Sequence, residues 1–126
     1  MIRIWTLWGV VTRNIDGDTF EASLDQGLDS WRHSVPIRVA GIDTPELHDK
    51  RPDIAAIAQQ AAARTAQLAP VGALLELQSI TYDKFGPRLD ANVAIPQSDG
   101  SMLDLATMLR VEGLARPYNG KGPKPW

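Results

Sequence analysis

The stretch Ile37-Arg38-Val39-Ala40-Gly41-Ile42-Asp43-Thr44-Pro45-Glu46 is where one kind of local structure gives way to another. Residues 35–42 read as a strand, with Ile37, Val39 and Gly41 toward one face and Arg38, Ala40 and Ile42 toward the other. Asp43-Thr44-Pro45-Glu46 then breaks it, because proline removes a ladder donor and biases the residue before it away from helix. After a polar loop over 48–52, Ile54, Ile57, Ala58, Ala61, Thr65 and Leu68 recur at helical spacing. Asp53 is the expected N-cap, and Pro70 and Gly72 end the helix.

Outward from that junction the pattern is strand on both sides. Residues 2–13 are rich in Ile, Val, Trp and Thr, and residues 19–24 form a second strand after a turn at 14–17. Residues 25–30 are a loop. Downstream, strands are expected over 73–82 and 89–95, joined by a turn at 83–87, and a further turn falls at 98–100. Asp104 is placed to cap a second helix running through Arg110, with Gly113 just past its end. Three strands, a helix, two strands and a helix make an α+β chain, mainly β. This is the element list of an OB-type five-stranded barrel with two or three helices. The 126 residues are expected to form one domain, with an irregular tail over 116–126.

Composition narrows the chemistry. The chain has no cysteine, which excludes disulfides, thiolate metal sites and thiol nucleophiles. Its two histidines, His33 and His48, are too few for a histidine-rich zinc cluster, and His48 reads as an exposed loop residue. The formal net charge of −2 lacks the global basic character that usually accompanies nucleic-acid binding. No leader and no apolar run near the ~20 residues that span a bilayer is visible. The expectation is a cytoplasmic chain, secreted only if a leader has been removed, with no membrane partner and monomeric by default. The tryptophans, Trp5, Trp8, Trp31 and Trp126, are expected in core or edge packing.

Three segments gather charged residues beside turns. In Asp16-Gly17-Asp18-Thr19 two carboxylates flank a glycine at a strand start and can face one point, as hard cations require, although Asp-Gly pairs also simply form turns. Asp43 adds a carboxylate at the end of a neighbouring strand, Thr44 offers a carbonyl, Glu46 lies just beyond, and Arg38 on the same strand has the planar fork that clamps phosphate. Asp83-Lys84-Phe85-Gly86-Pro87-Arg88 supplies a second arginine at a strand start.

Together these pieces resemble the staphylococcal nuclease (thermonuclease) family. The likeness runs from about Gly9 to Tyr118, through Ile15-Asp16-Gly17-Asp18-Thr19, Ile37-Arg38-Val39, Ile42-Asp43-Thr44-Pro45-Glu46, Asp83-Lys84-Phe85-Gly86 with a following arginine, and Glu112-Gly113-Leu114-Ala115. The resemblance implies an OB-like barrel and calcium-dependent phosphodiester hydrolysis of DNA or RNA. It makes Asp18 and Asp43 calcium-ligating carboxylates, Thr44 a carbonyl ligand and Asp16 an outer acid near the ion. It makes Glu46 the general base, and Arg38 with Arg88 the phosphate-binding arginines. Lys84, Phe85 and Tyr118 fall at substrate-contact positions, with Phe85 where the family often has tyrosine. The sequence departs from the pattern at Pro87, which stands where the family has its arginine, so Arg88 is displaced by one residue. A bulge there is expected to restore its direction. The other readings are a non-catalytic OB module that binds nucleic acid or a protein, and an interaction domain with no nucleic-acid contact. On the nuclease reading, four of the fifteen acids belong to the ion site, and Arg116, Lys121 and Lys124 make the tail locally basic. Binding to long nucleic acid is then expected to be weak, with a salt slope of magnitude below roughly five.

Overall fold

The computed structural model describes residues 5–126, so residues 2–4 of the first expected strand lie outside the described residues. The elements in chain order are β1 (Leu7–Asn14), β2 (Thr19–Asp25), β3 (Trp31–Val39), β4 (Ile42–Asp43), α1 (Pro52–Leu68), β5 (Leu74–Tyr82), β6 (Leu89–Pro96), β7 (Met102–Asp104), α2 (Leu105–Val111) and β8 (Arg116–Pro117). Strands β1, β2 and β3 form an antiparallel meander, and β5 pairs with the free edge of β1. Strand β6 pairs antiparallel with β5 and parallel with β3, through Ile37↔Leu89, Arg38↔Asp90 and Val39↔Ala91. That last pairing closes β3-β2-β1-β5-β6 into a five-stranded mixed barrel with two helices, the OB-like α+β architecture expected from the element order. Closure leaves these five strands without a free edge along the paired stretch.

The barrel is filled by one side of each strand. Phe20, Ala22 and Leu24 from β2, Val35, Ile37 and Val39 from β3, Leu75 and Leu77 from β5, and Ala91 and Val93 from β6 are buried in one cluster. Helix α1 adds Ala61, with Ala58 and Thr65 buried on the same face, and α2 adds Leu105 and Leu109. Pro52 opens α1 after Arg51 rather than after an Asp53 cap. Its fixed φ and missing N–H suit the first helical position, and Asp53 lies instead in the first turn, where its charge suits the helix dipole. Asp104 caps α2 as expected, accepting from the Thr107 backbone N–H at 3.1 Å and its hydroxyl at 2.6 Å.

Two differences from the sequence reading reshape the functional end. Strand β3 starts at Trp31 because residues 31–34, though exposed, continue the pairing with β2; backbone pairing leaves no hydrophobic signature there. It also ends at Val39. Gly41, at φ +84°, turns the chain, so Ile42 restarts as β4 with its side chain buried rather than facing outward with Arg38. Trp5, Trp8 and Trp31 are exposed, not packed in the core. Among the described residues no helix is long and apolar enough to cross a membrane.

Candidate functional site

The turn at 14–18, the β3–β4 junction, the β5–β6 hairpin tip and the tail surround one open cleft of about 550 Å³. Asp16, Asp18, Arg38, Asp43, Thr44, Glu46, Lys84, Phe85, Arg88 and Tyr118 all line it. A smaller hollow, of about 40 Å³ between Trp5, Ile80 and Leu89, is mostly apolar.

The acidic floor is held by the fold itself. The Gly17 backbone lies against α1 and Thr44 so closely that a Cβ there would sit 2.8 Å from Ala61 Cβ and 2.9 Å from Thr44 Cγ2. The buried Thr65 hydroxyl donates to the Gly17 carbonyl at 2.7 Å, fixing the turn on the helix. Asp16 accepts from the Asp18 N–H at 3.1 Å. Asp18 Oδ2 accepts from the Thr44 N–H at 3.2 Å, which ties the first turn to the β4 end. Asp18 and Asp43 are both buried, and the Arg38 guanidinium reaches both, at 3.7 Å from Asp18 Oδ2 and 3.2 Å from Asp43 Oδ1, while donating to the Ile42 carbonyl at 3.2 Å.

Electrostatics at this floor favour added positive charge. Burial, then repulsion from Asp18, pushes the Asp16 carboxyl up to about 7. Burial and Asp18 also raise Asp43, against the pull of Lys124 and Arg38. Among the described residues no three acidic or histidine side chains gather as a ready metal cage. Two buried carboxylates turned on a single positive charge, beside the Thr44 backbone, are nonetheless oxygen donors of the kind a hard cation takes. Glu46, by contrast, is exposed at the cleft mouth, where its Oε1 meets Lys124 Nζ at 3.1 Å.

The hairpin tip carries the second guanidinium. The Asp83 N–H donates to the Arg88 carbonyl at 3.0 Å and closes the turn, so the turn itself takes up the extra residue at Pro87. No bulge forms at Pro87; the irregularity lies on β5 between Gln78 and Thr81, where Ser79 adopts φ +53°. Arg88 is half-buried, donates to Asp83 Oδ1 at 3.1 Å, and lies 5.5 Å from the Phe85 ring centroid. Its Nε is buried without a hydrogen-bond partner.

Sequence reasoning missed two contributors. Asp90 lines the cleft, in register with Arg38 across the parallel pairing. The signal was there in the alternation of residues 89–95, which turns Asp90 to the face opposite the core residues Leu89 and Ala91. Burial, then a hydrogen bond donated to Asp83 and repulsion from its charge, push Asp90 up to about 6. Burial raises Asp83 too, but bonds from Asp90, the Phe85 N–H and Arg88 outweigh it and hold Asp83 at about 2. The second contributor is the tail. Strand β8 pairs with β4, the Tyr118 N–H donates to the Gly41 carbonyl at 3.0 Å, and the Trp126 indole N–H donates to the Asp43 carbonyl at 2.7 Å. Lys84 Nζ donates to the Gly120 carbonyl at 2.8 Å, and Tyr118 lies with its ring centroid 6.0 Å from the Arg38 guanidinium. No signal in an irregular Pro/Gly-rich segment announces such docking.

A scan of protein-family models matches none of them to this chain, and a search of curated proteins returns no significant match.

Proposed function

We propose that the chain is a calcium-dependent nuclease of the staphylococcal nuclease type, hydrolysing phosphodiester bonds of DNA, RNA or both. The observation that carries this reading is the meeting of Asp18, Asp43, Glu46, Arg38 and Arg88 in one open cleft, from separate segments whose motifs had already singled them out. Calcium held by Asp18, Asp43 and the Thr44 carbonyl would supply positive charge to a phosphate oxygen and make a bound water more acidic. The chain's own groups do the rest. Arg38 and Arg88 are fixed by Asp43 and Asp83, and their forked donors suit the non-bridging oxygens of a diester, whose charge grows as water adds to phosphorus. Glu46, exposed at the cleft mouth, is placed to take the proton of the attacking water. The P–O ester bond then breaks, and the leaving oxygen is protonated from solvent.

The test is turnover of single-stranded DNA and of RNA in calcium and in chelator. Activity is expected in calcium only, and Glu46→Gln is expected to lower kcat by about 10²–10⁴-fold. Equal low turnover with and without calcium, unchanged in Glu46→Gln, overturns the reading. Salt-sensitive retention on single-stranded DNA without hydrolysis would leave a binding module instead.

A further inference from the structure

The basic residues of the tail sit against the cleft. Residues 116–118 are fixed by the β4–β8 pairing and the Tyr118–Gly41 hydrogen bond. The other end is fixed by Trp126, whose indole N–H reaches the Asp43 carbonyl and whose ring lies 3.8 Å from the Arg116 guanidinium. Arg116 also donates to the Pro125 carbonyl at 2.6 Å. Between these anchors Lys121 and Lys124 line the cleft, and Lys84 is bound to the tail at Gly120.

We propose that residues 116–126 form a substrate-binding wall, and that Lys124 binds a phosphate of a polynucleotide next to the diester being cleaved. This rests on the nuclease reading and adds to it a contact from the tail to a phosphate flanking the one cleaved. Besides Arg38 and Arg88, the same cleft of about 550 Å³ is lined by Lys84, Lys121 and Lys124, more positive groups than one phosphate needs. The Lys124–Glu46 pair is exposed on both sides, with side chains 56% and 70% accessible, and a pair so wet holds weakly. An arriving phosphate exchanges for Glu46 as the partner of Lys124. The exchange adds a backbone contact and frees the Glu46 side chain from its pair with Lys124. The anchors do not depend on Lys124, so the wall stays in place when the pair opens.

The experiment compares the full-length chain with Lys124→Gln and Lys124→Arg. Binding is followed by anisotropy of a labelled single-stranded phosphorothioate, which keeps its charge and resists hydrolysis, in calcium at 50–200 mM salt. Lys124→Gln is expected to weaken binding about 3–10-fold and to flatten the slope of log K against log salt by about 0.7, the share of one single-strand phosphate contact. Lys124→Arg is expected to restore both, with Trp126 emission unchanged in either variant. An unchanged slope in Lys124→Gln overturns the proposal. So does a loss that shifts Trp126 emission and resists rescue by arginine, because Lys124 would then only brace the tail. A wild-type chain that binds the phosphorothioate but does not cut the unmodified strand fails the nuclease reading alone, and the slope still decides the role of Lys124.

Discussion

Asp90 and Asp16 are single residues whose protonation sets how the free protein answers to pH. Both carboxyls are raised, Asp90 to about 6 and Asp16 to about 7, so between the ordinary range near 4 and those values the folded chain binds more protons than the unfolded one. Stability therefore falls as pH climbs from about 4 to about 7. Asp83 works oppositely: held at about 2, it stabilises the fold above the ordinary carboxylate range, and that contribution is lost as pH falls from about 4 toward 2. Tm of the calcium-free chain is expected to peak near pH 4–5, and Asp90→Asn is expected to flatten its decline between pH 4 and 6. A Tm that rises steadily from pH 4 to 7 in both proteins contradicts the assignment. The cause is local. Burial, which leaves Asp90 Oδ1 without a partner, and the neighbouring Asp83 both favour the protonated Asp90 carboxyl, which can donate to Asp83.

At the scale of elements, helix α1 acts as the seat of the acidic turn. The glycine of the Asp16-Gly17-Asp18 turn is required by close approach, since its φ lies outside the left-handed region and only the lack of a side chain lets it lie on Ala61 and Thr44. Gly17→Ala is expected to destabilise the fold by about 1–3 kcal/mol through overpacking. Thr65→Val is expected to cost about 1–3 kcal/mol by leaving the Gly17 carbonyl buried without its donor. Urea unfolding checks both, and a neutral Gly17→Ala removes the seat from the account. These cases separate what was legible from what was not. Helical spacing put Thr65 on the buried face, and the turn motif marked Asp16 and Asp18, because each signal is written in a local period or a local pattern. That Thr65 meets Gly17 depends on two segments 48 positions apart, and no local pattern carries it. The same limit explains Ile42, whose face was reversed by one positive φ at Gly41, and Arg88, whose entry into the cleft was settled by the turn closing between Asp83 and Arg88.

For the whole molecule the decisive event is barrel closure, since the parallel pairing of β3 with β6 is what brings Arg38 beside Asp90 and the hairpin tip beside the acidic floor. Closure crowds Asp16, Asp18, Asp43 and Glu46 into one end of a chain whose formal net charge is only −2, and the raised Asp16 and Asp43 carboxyls record burial first and then repulsion from Asp18. A divalent cation binding there would relieve it in the folded state and find no such site in the unfolded one. At a hundredfold excess over its Kd, calcium is expected to stabilise the fold by about 2.7 kcal/mol. For a chain of this size that is a rise in Tm of roughly 5–15 °C. The rise is expected to be larger at pH 7.5 than at pH 5, because Asp16, the outer acid beside the ion, still holds its proton at the lower pH and offers the cation less negative charge. Asp18→Asn is expected to lose most of it. Scanning calorimetry in calcium and in chelator decides the matter: equal Tm in both at pH 7.5 would mean that the acidic floor is answered by Arg38 alone and takes no cation.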